Sequence, residues 1–283
     1  MANHHHQHHH PAGETDDAAM AELLDLDAEV LHSYLTEVFA WVHELAGDLP
    51  RGRILDLGSG TGTGAVALAE RFDGADVTAV DLSAPMLDRI RAKARDLGLA
   101  DRIHTLQADL DAAWPAIDAV DLVWASNSLH HMADPDRVLA ELLATIRPGG
   151  LLAVAEVDSF PRFLPDEVGG GLEARCQAEL AEQRAAELPH LGSDWGLLLT
   201  KAGFTIAGER HFAIEVTAPL PAATARYAQA SLRRLRSGLD GRLSVDDLAT
   251  LDALIDSDGP DGVLRRDDLT VRAARTVWVA RRP

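Results

Sequence analysis

Residues 53–64 read RILDLGSGTGTG. A short apolar run, Ile54, Leu55 and Leu57, carries one acid, Asp56, and passes into glycines at every second position: Gly58, Gly60, Gly62 and Gly64. Val66, Leu68, Ala69 and Phe72 then recur at helical spacing, so the stretch predicts a buried strand, a tight turn and a helix. Glycine admits positive φ and lets a ligand approach without a Cβ in the way, and a helix N-terminus offers unpaired N–H groups. Such a stretch is a cradle for a small charged molecule. Dinucleotide folds use similar glycines to hold a pyrophosphate. Here an acid stands two residues before the first glycine, which is unhelpful beside a pyrophosphate and suits a ligand bearing positive charge.

S-adenosylmethionine is such a ligand, with an ammonium, a sulfonium, and a carboxylate that the helix N-terminus can take. The run Asp56-Leu57-Gly58-Ser59-Gly60-Thr61-Gly62 resembles the first motif of the class I S-adenosylmethionine-dependent methyltransferases, acid, apolar, Gly, x, Gly, x, Gly. A second agreement comes from DVTAVDLS, residues 76–83, an apolar strand closing on Asp81, where a strand-end acid reaches ribose hydroxyls. Its competing use is as a cap for the helix that follows, Ala84 to Leu97. The third is LxxIRPGGLLAVAE around Arg147–Gly150, which matches the family's passage from fourth to fifth strand.

The resemblance implies an α/β fold: a Rossmann-like, seven-stranded, mostly parallel sheet with helices on both faces, the last strand antiparallel, and helical lid insertions. It implies a cofactor site of Asp56, Gly58, Ser59, Gly60, Asp81, Leu82 and Met86, with Asp109 and Leu110 at the adenine after a strand from Ile103 to Ala108. A solvated loop acid is the other reading of Asp109. Tyr34, in a helical stretch from Thr15 to Gly47 expected to close over the cofactor, either faces the ligand or packs the core, as does Trp41.

The fourth strand, Ala119 to Ala125, is apolar on both faces and runs into SNSLHHMADP, residues 126–135. Functional groups in open α/β sheets sit beyond the carboxyl ends of strands. Ser126 therefore joins the cofactor set, Asn127 and His131 are the candidate catalytic pair, and His130 is a candidate for the acceptor. Adjacent histidines point two ways, so at most one faces the pocket. Glu156 and Asp158 at the exit of the fifth strand, Leu151 to Val157, and Trp195 at the start of a helix to Ala202 are further pocket candidates or plain packing and capping residues. Asp158 and Trp195 join His130 in the expected substrate set.

Composition bounds the function. The chain has 283 residues, 47% of them hydrophobic, enough for one large core with insertions. A formal charge of -19 argues against nucleic acid and an anionic membrane, and favours a small-molecule or peptide acceptor. The single cysteine, Cys176, excludes an internal disulfide or a multi-cysteine metal site, and no metal is expected. No apolar run is long enough for a membrane span and no apolar signal core opens the chain, so a cytoplasmic monomer or homodimer is expected.

The expected organisation is a disordered histidine-rich tail (1–13), lid helices (14–49), a cofactor-binding core (50–160), a helical insertion (161–192) with one helix from Leu172 to Leu188, and the rest of the core (193–283) interrupted by a second insertion (221–266). Thr205–Val216 and Leu269–Ala280 are the last two strands. Two other functions are open to the same residues: a non-catalytic S-adenosylmethionine-binding protein, and a nicotinamide-dependent oxidoreductase. Against the latter stand Asp56 and the absence of a tyrosine four residues before either lysine, Lys93 or Lys201.

Overall fold

The computed structural model describes residues 11–49 and 51–283. The expected tail lies outside the described residues as far as residue 10, and residues 11–13, assigned to that tail, open the first helix. Helices α1 (Pro11–Val30) and α2 (His32–Ala46) divide the stretch whose apolar spacing predicts helix, and Gly47 at φ +69° ends it. Strands and helices then alternate: β1 (Arg53–Leu57), α3 (Thr63–Arg71), β2 (Asp76–Asp81), α4 (Ala84–Asp96), β3 (Ile103–Gln107), β4 (Val120–Ser126), α5 (Pro135–Thr145) and β5 (Ile146–Arg162). The remainder comprises α6 (Leu172–Glu179), α7 (Ala181–Glu187), α8 (Trp195–Lys201), β6 (Thr205–Val216), α9 (Thr224–Ser237), α10 (Val245–Asp256) and β7 (Val271–Arg281).

The seven strands form one sheet in the order β3-β2-β1-β4-β5-β7-β6. All run parallel except β7, which lies antiparallel between β5 and β6. Leaving β1, the chain builds outward to β2 and β3, then returns to lay β4 on the other side of β1. That reversal opens a crevice beyond the carboxyl ends of β1 and β4, the usual place for a ligand in such sheets.

Strand alternation feeds two cores. Ile54, Val77, Ala79, Leu122 and Trp124 face α1 to α4, while Leu55, Leu57, Val80, Val123 and Val154 face α5 and α8. Asp56 shares the face of Ile54, so the only way to keep its carboxylate there is at the strand's end, where the crevice begins.

Two of these elements differ from the sequence expectation in ways that matter for the fold. β5 continues past Val157 to Arg162 because β7 is long enough to pair with it, Arg162 opposite Arg272, across two register irregularities. The helix expected from Leu172 to Leu188 is broken between α6 and α7 at Leu180, a buried side chain seated against Gly238. The stretches 161–192 and 221–266 contact each other. Phe163 meets Tyr227 edge to face at 4.9 Å, Arg175 reaches Asp247 at 2.6 Å, and α6, α9 and α10 share the core of α1 and α2.

Candidate functional site

The glycine loop has the geometry that its composition predicts. Gly58, Gly60 and Gly62 have φ of +66°, +50° and +86°. A Cβ on Gly58 would lie 2.5 Å from Cβ of Ser128, and one on Gly64 would lie 2.8 Å from Oδ2 of Asp56, so backbone and neighbouring strand close together with no room for a side chain. Ser128 holds that approach by donating its hydroxyl to the Leu57 carbonyl at 2.9 Å. The sequence gives no signal for Ser128, because its role exists only once β4 lies beside β1.

Beyond this loop opens a cavity of about 520 Å³. Asp56, Gly58, Ser59, Gly60, Asp81, Leu82, Met86, Asp109, Leu110, Ser126, Asn127 and His131 all line it, so the structure brings together twelve of the residues singled out from the sequence. Asp56 is 2% exposed, and its Oδ2 has no hydrogen-bond partner among the described residues. Burial pushes its carboxyl up to about 7, with Asp81 adding to the rise and the Ala65 backbone N–H opposing it. Asp81 is placed by two backbone donors: Gly60 N–H reaches Oδ2 at 2.8 Å and Ser83 N–H reaches Oδ1 at 2.9 Å. A carboxylate has about four lone-pair sites, so two acceptor positions are left for vicinal hydroxyls. Asp109 accepts from the N–H groups of Asp111 and Ala112 at 3.0 and 3.2 Å, and so shapes its own turn at the cavity wall.

Asn127 follows β4 at φ +49°, a left-handed conformation uncommon for a side-chain-bearing residue. Its N–H donates to Ala155 at 2.8 Å, while its side-chain oxygen is buried without a partner among the described residues. His131 stands at the cavity rim with its ring against that of His130 at 4.2 Å. Partial burial, His130 and Arg234 of α9 hold its imidazole below the ordinary histidine range, so it is neutral near pH 7.

Four of the expected residues stand outside the cavity lining. His130 is 5% exposed, because Nδ1 pairs with Glu156, whose other oxygen accepts Leu129 N–H at 3.1 Å. This pair underpins the turn that presents His131. Asp158 accepts from Thr276 at 2.8 Å and lies 3.1 Å from Nδ1 of His211 on the β5–β7–β6 surface. Trp195 is in the core on the opposite face of the sheet, 1% exposed. Tyr34 is buried edge to face against Phe212 at 5.2 Å, with the Arg275 guanidinium 5.4 Å from its ring centroid. Sequence reading missed the residues that α1, α2 and β7 contribute: Leu24, Asp27, Phe39 and Arg275. Helical spacing marks Leu24 and Phe39 as apolar positions of the lid helices but cannot say that they roof a cavity, and it does not mark Asp27 at all.

The donor set fits S-adenosylmethionine. The buried carboxylate of Asp56, with Oδ2 unpartnered among the described residues, suits an ammonium, Asp81 suits ribose hydroxyls, and the apolar Leu82 and Met86 line the same cavity for a purine face. The same carboxylate lies against the first turn of α3, where a dinucleotide would place its pyrophosphate. Among the described residues, no helix is long and apolar enough to cross a membrane.

Comparison with known proteins agrees with this geometry. The methyltransferase domain family matches residues 54–150. Methyltransferase GfsG of Streptomyces halstedii is 38% identical over 154 residues, which cover 54% of this chain and 53% of that protein. The tRNA 5-carboxymethoxyuridine methyltransferase of Escherichia coli K12 is 32% identical over 162 residues, covering 56% of this chain and 61% of that protein. Against GfsG, as against other curated relatives, the chain spans about half of the partner's length. A solved structure of geranyl diphosphate methyltransferase in complex with SAM superimposes with a TM-score of 0.54 at 18% identity, covering 92% of this chain and 90% of that one, and shares the fold. With this strand order, this glycine cradle and the family match upon it, residues 54–150 form a methyltransferase domain with the architecture of the class I S-adenosylmethionine-dependent methyltransferases.

Proposed function

We propose that this chain transfers a methyl group from S-adenosylmethionine to a small-molecule or peptide acceptor by direct in-line displacement. The observation that carries the reading is the buried Asp56 carboxylate behind the glycine loop, whose Oδ2 has no partner among the described residues, a site that favours a cationic ligand and opposes a pyrophosphate. When bound, S-adenosylmethionine supplies an electrophilic methyl on sulfonium; the chain need only bind, align and desolvate the acceptor. Asn127 and the neutral His131 are the groups proposed to orient it. His131, held low, serves an acceptor's proton better as a hydrogen-bond acceptor than as a strong base. A polyanionic acceptor is disfavoured by the charge of -19 and by Asp56, Asp81, Asp109 and Asp111 around the cavity.

Isothermal titration with S-adenosylmethionine, S-adenosylhomocysteine and NAD tests this on the wild type and Asp81→Ala. Micromolar binding of the first two that is lost in the variant is the expected result, followed by a one-methyl mass gain on an acceptor from a metabolite panel. Binding of NAD alone overturns the reading. Cofactor binding with no acceptor methylated by any screen would favour a non-catalytic S-adenosylmethionine-binding protein.

A further inference from the structure

Arg275 is the one arginine or lysine among the described residues that line the cavity, and it is set among acids. It lies on β7 opposite Val157 of β5 and Phe212 of β6, beyond the level at which Ser126 of β4 pairs with Ala155. That places it on the acceptor side, away from the cofactor loop after β1. The side chain is 6% exposed, yet its bonding is thin. Nη2 donates to Asp27 Oδ1 at 2.6 Å, and Nε has no partner among the described residues. The same Asp27 oxygen accepts from the Tyr227 hydroxyl at 2.5 Å, so Asp27 is shared rather than committed to Arg275. Beside the guanidinium, the Tyr34 hydroxyl is also buried without a partner; that residue is 7% exposed. A guanidinium has five donors, and buried donors are ordinarily satisfied. Among the described residues, Arg275 Nε is thus an unused donor of a cavity-lining residue, and the Tyr34 hydroxyl is an unused donor buried outside that lining.

Resting on the methyltransferase reading above, we infer that Arg275, backed by Tyr34, receives an anionic group, carboxylate or phosphate, of the methyl acceptor. A carboxylate or phosphate matches the guanidinium fork and forms charge-assisted bonds that a neutral carbonyl does not. Desolvation holds the Tyr34 hydroxyl protonated and neutral, so it sets no competing charge behind the guanidinium. Met20, Leu24, Leu35 and Phe39, which line the same cavity, are apolar. The acceptor class is therefore an amphiphilic acid: an apolar body with one anionic end, held so that the other end faces Asn127 and His131. One buried cation selects a single anionic group, which is a different demand from the basic surface a nucleic acid needs.

Octanoate, octyl phosphate and octanamide, titrated by calorimetry into protein saturated with S-adenosylhomocysteine, test the assignment. At least one of the two anions should bind tenfold or more tightly than the amide, and which one does so separates carboxylate from phosphate acceptors. Asp27→Asn keeps an acceptor oxygen for Tyr227 and Arg275 but removes the competing charge, and should tighten the anion further. The double variant Asp27→Asn/Arg275→Gln leaves no unpaired buried charge, which protects the fold; its melting temperature and S-adenosylhomocysteine affinity verify that. In it the anion should bind no better than the amide. No anion preference in the wild type, or a preference that survives in the double variant, overturns the proposal. A loss of S-adenosylhomocysteine affinity in a folded double variant also overturns it, by assigning Arg275 to the cofactor's carboxylate. If S-adenosylhomocysteine fails to bind the wild type, the cofactor reading falls, and the same titrations on the protein alone still decide whether Arg275 is an anion site.

Discussion

Asp56 is the residue where the physics of the site is concentrated. Its carboxyl titrates near 7 in the fold and near the ordinary aspartate value in the unfolded chain. Between those values the folded state holds the proton more tightly, so this group makes stability fall as pH rises from about 4 to about 7, and it is flat above. A bound ammonium reverses the penalty of the ionised form. Thermal melts of the protein with S-adenosylhomocysteine should therefore show a larger ligand-induced rise in Tm at pH 8 than at pH 6, and a pH-independent rise would refute the pairing. Asp56→Asn should lower affinity for the same ligand at pH 8 at least tenfold while leaving the apoprotein as stable as the wild type or more so. Asn127 carries a different strain. Asn127→Gly relieves the left-handed backbone and Asn127→Ala does not, so in urea unfolding the alanine variant should be less stable than the glycine variant by about 1 kcal/mol. Both should lose methyl transfer if the amide orients the acceptor.

The element that makes the cradle is the turn between β1 and α3, and it is shaped from outside as much as from within. Gly58 combines a positive φ with a Cβ position 2.5 Å from Ser128, so Gly58→Ala forces the β4 turn away from β1. We expect it to lower Tm by several degrees and to abolish cofactor binding by calorimetry. Ser128→Gly removes the opposing atoms, although it also removes the bond to Leu57. Placed with Gly58→Ala it should restore part of the binding, giving a double-variant effect smaller than the sum of the two single ones. Additive losses would mean that the φ of Gly58 alone sets the cost. The glycines announce the turn in the sequence because positive φ costs glycine little and side-chain-bearing residues adopt it uncommonly. Ser128 is silent there because serine is ordinary in any loop.

The whole molecule is a sheet roofed by an acidic helix. α1 is pinned by Asp25 to Lys93 at 2.6 Å and to Arg89 at 3.6 Å, by Glu22 to Arg226 at 2.6 Å, and by Asp27 to Arg275 at 2.6 Å. The first three pairs are partly exposed and screened by salt, and the last joins a buried Arg275 to a half-buried Asp27. Leu24 of the same helix reaches over Gly60, where an added Cβ would lie 3.1 Å from it. Hydrogen exchange over residues 17–30 should slow when S-adenosylhomocysteine fills the cavity beneath, and should quicken in 1 M salt while β1 and β4 stay unchanged. Equal exchange in α1 with and without the ligand would show that this helix does not close over the site.

The sequence by itself determined the alternation of strands and helices, the glycine turn, and the acids at the ends of β1 and β2, because period-two and period-3.6 patterns, positive-φ glycines and strand-end carboxylates are local properties of the chain. Those local signals sufficed to bring twelve expected residues to one cavity. Only the tertiary structure decided which polar residues away from the motifs belong to it. Trp195 and His130 carry plausible chemistry, but Trp195 faces the other side of the sheet and His130 is spent on Glu156. Arg275 looks in sequence like one alternate position of a terminal strand. It becomes a cavity cation because β7 inserts antiparallel between β5 and β6 and α1 folds across it, contacts between segments separated by most of the chain that no local pattern encodes.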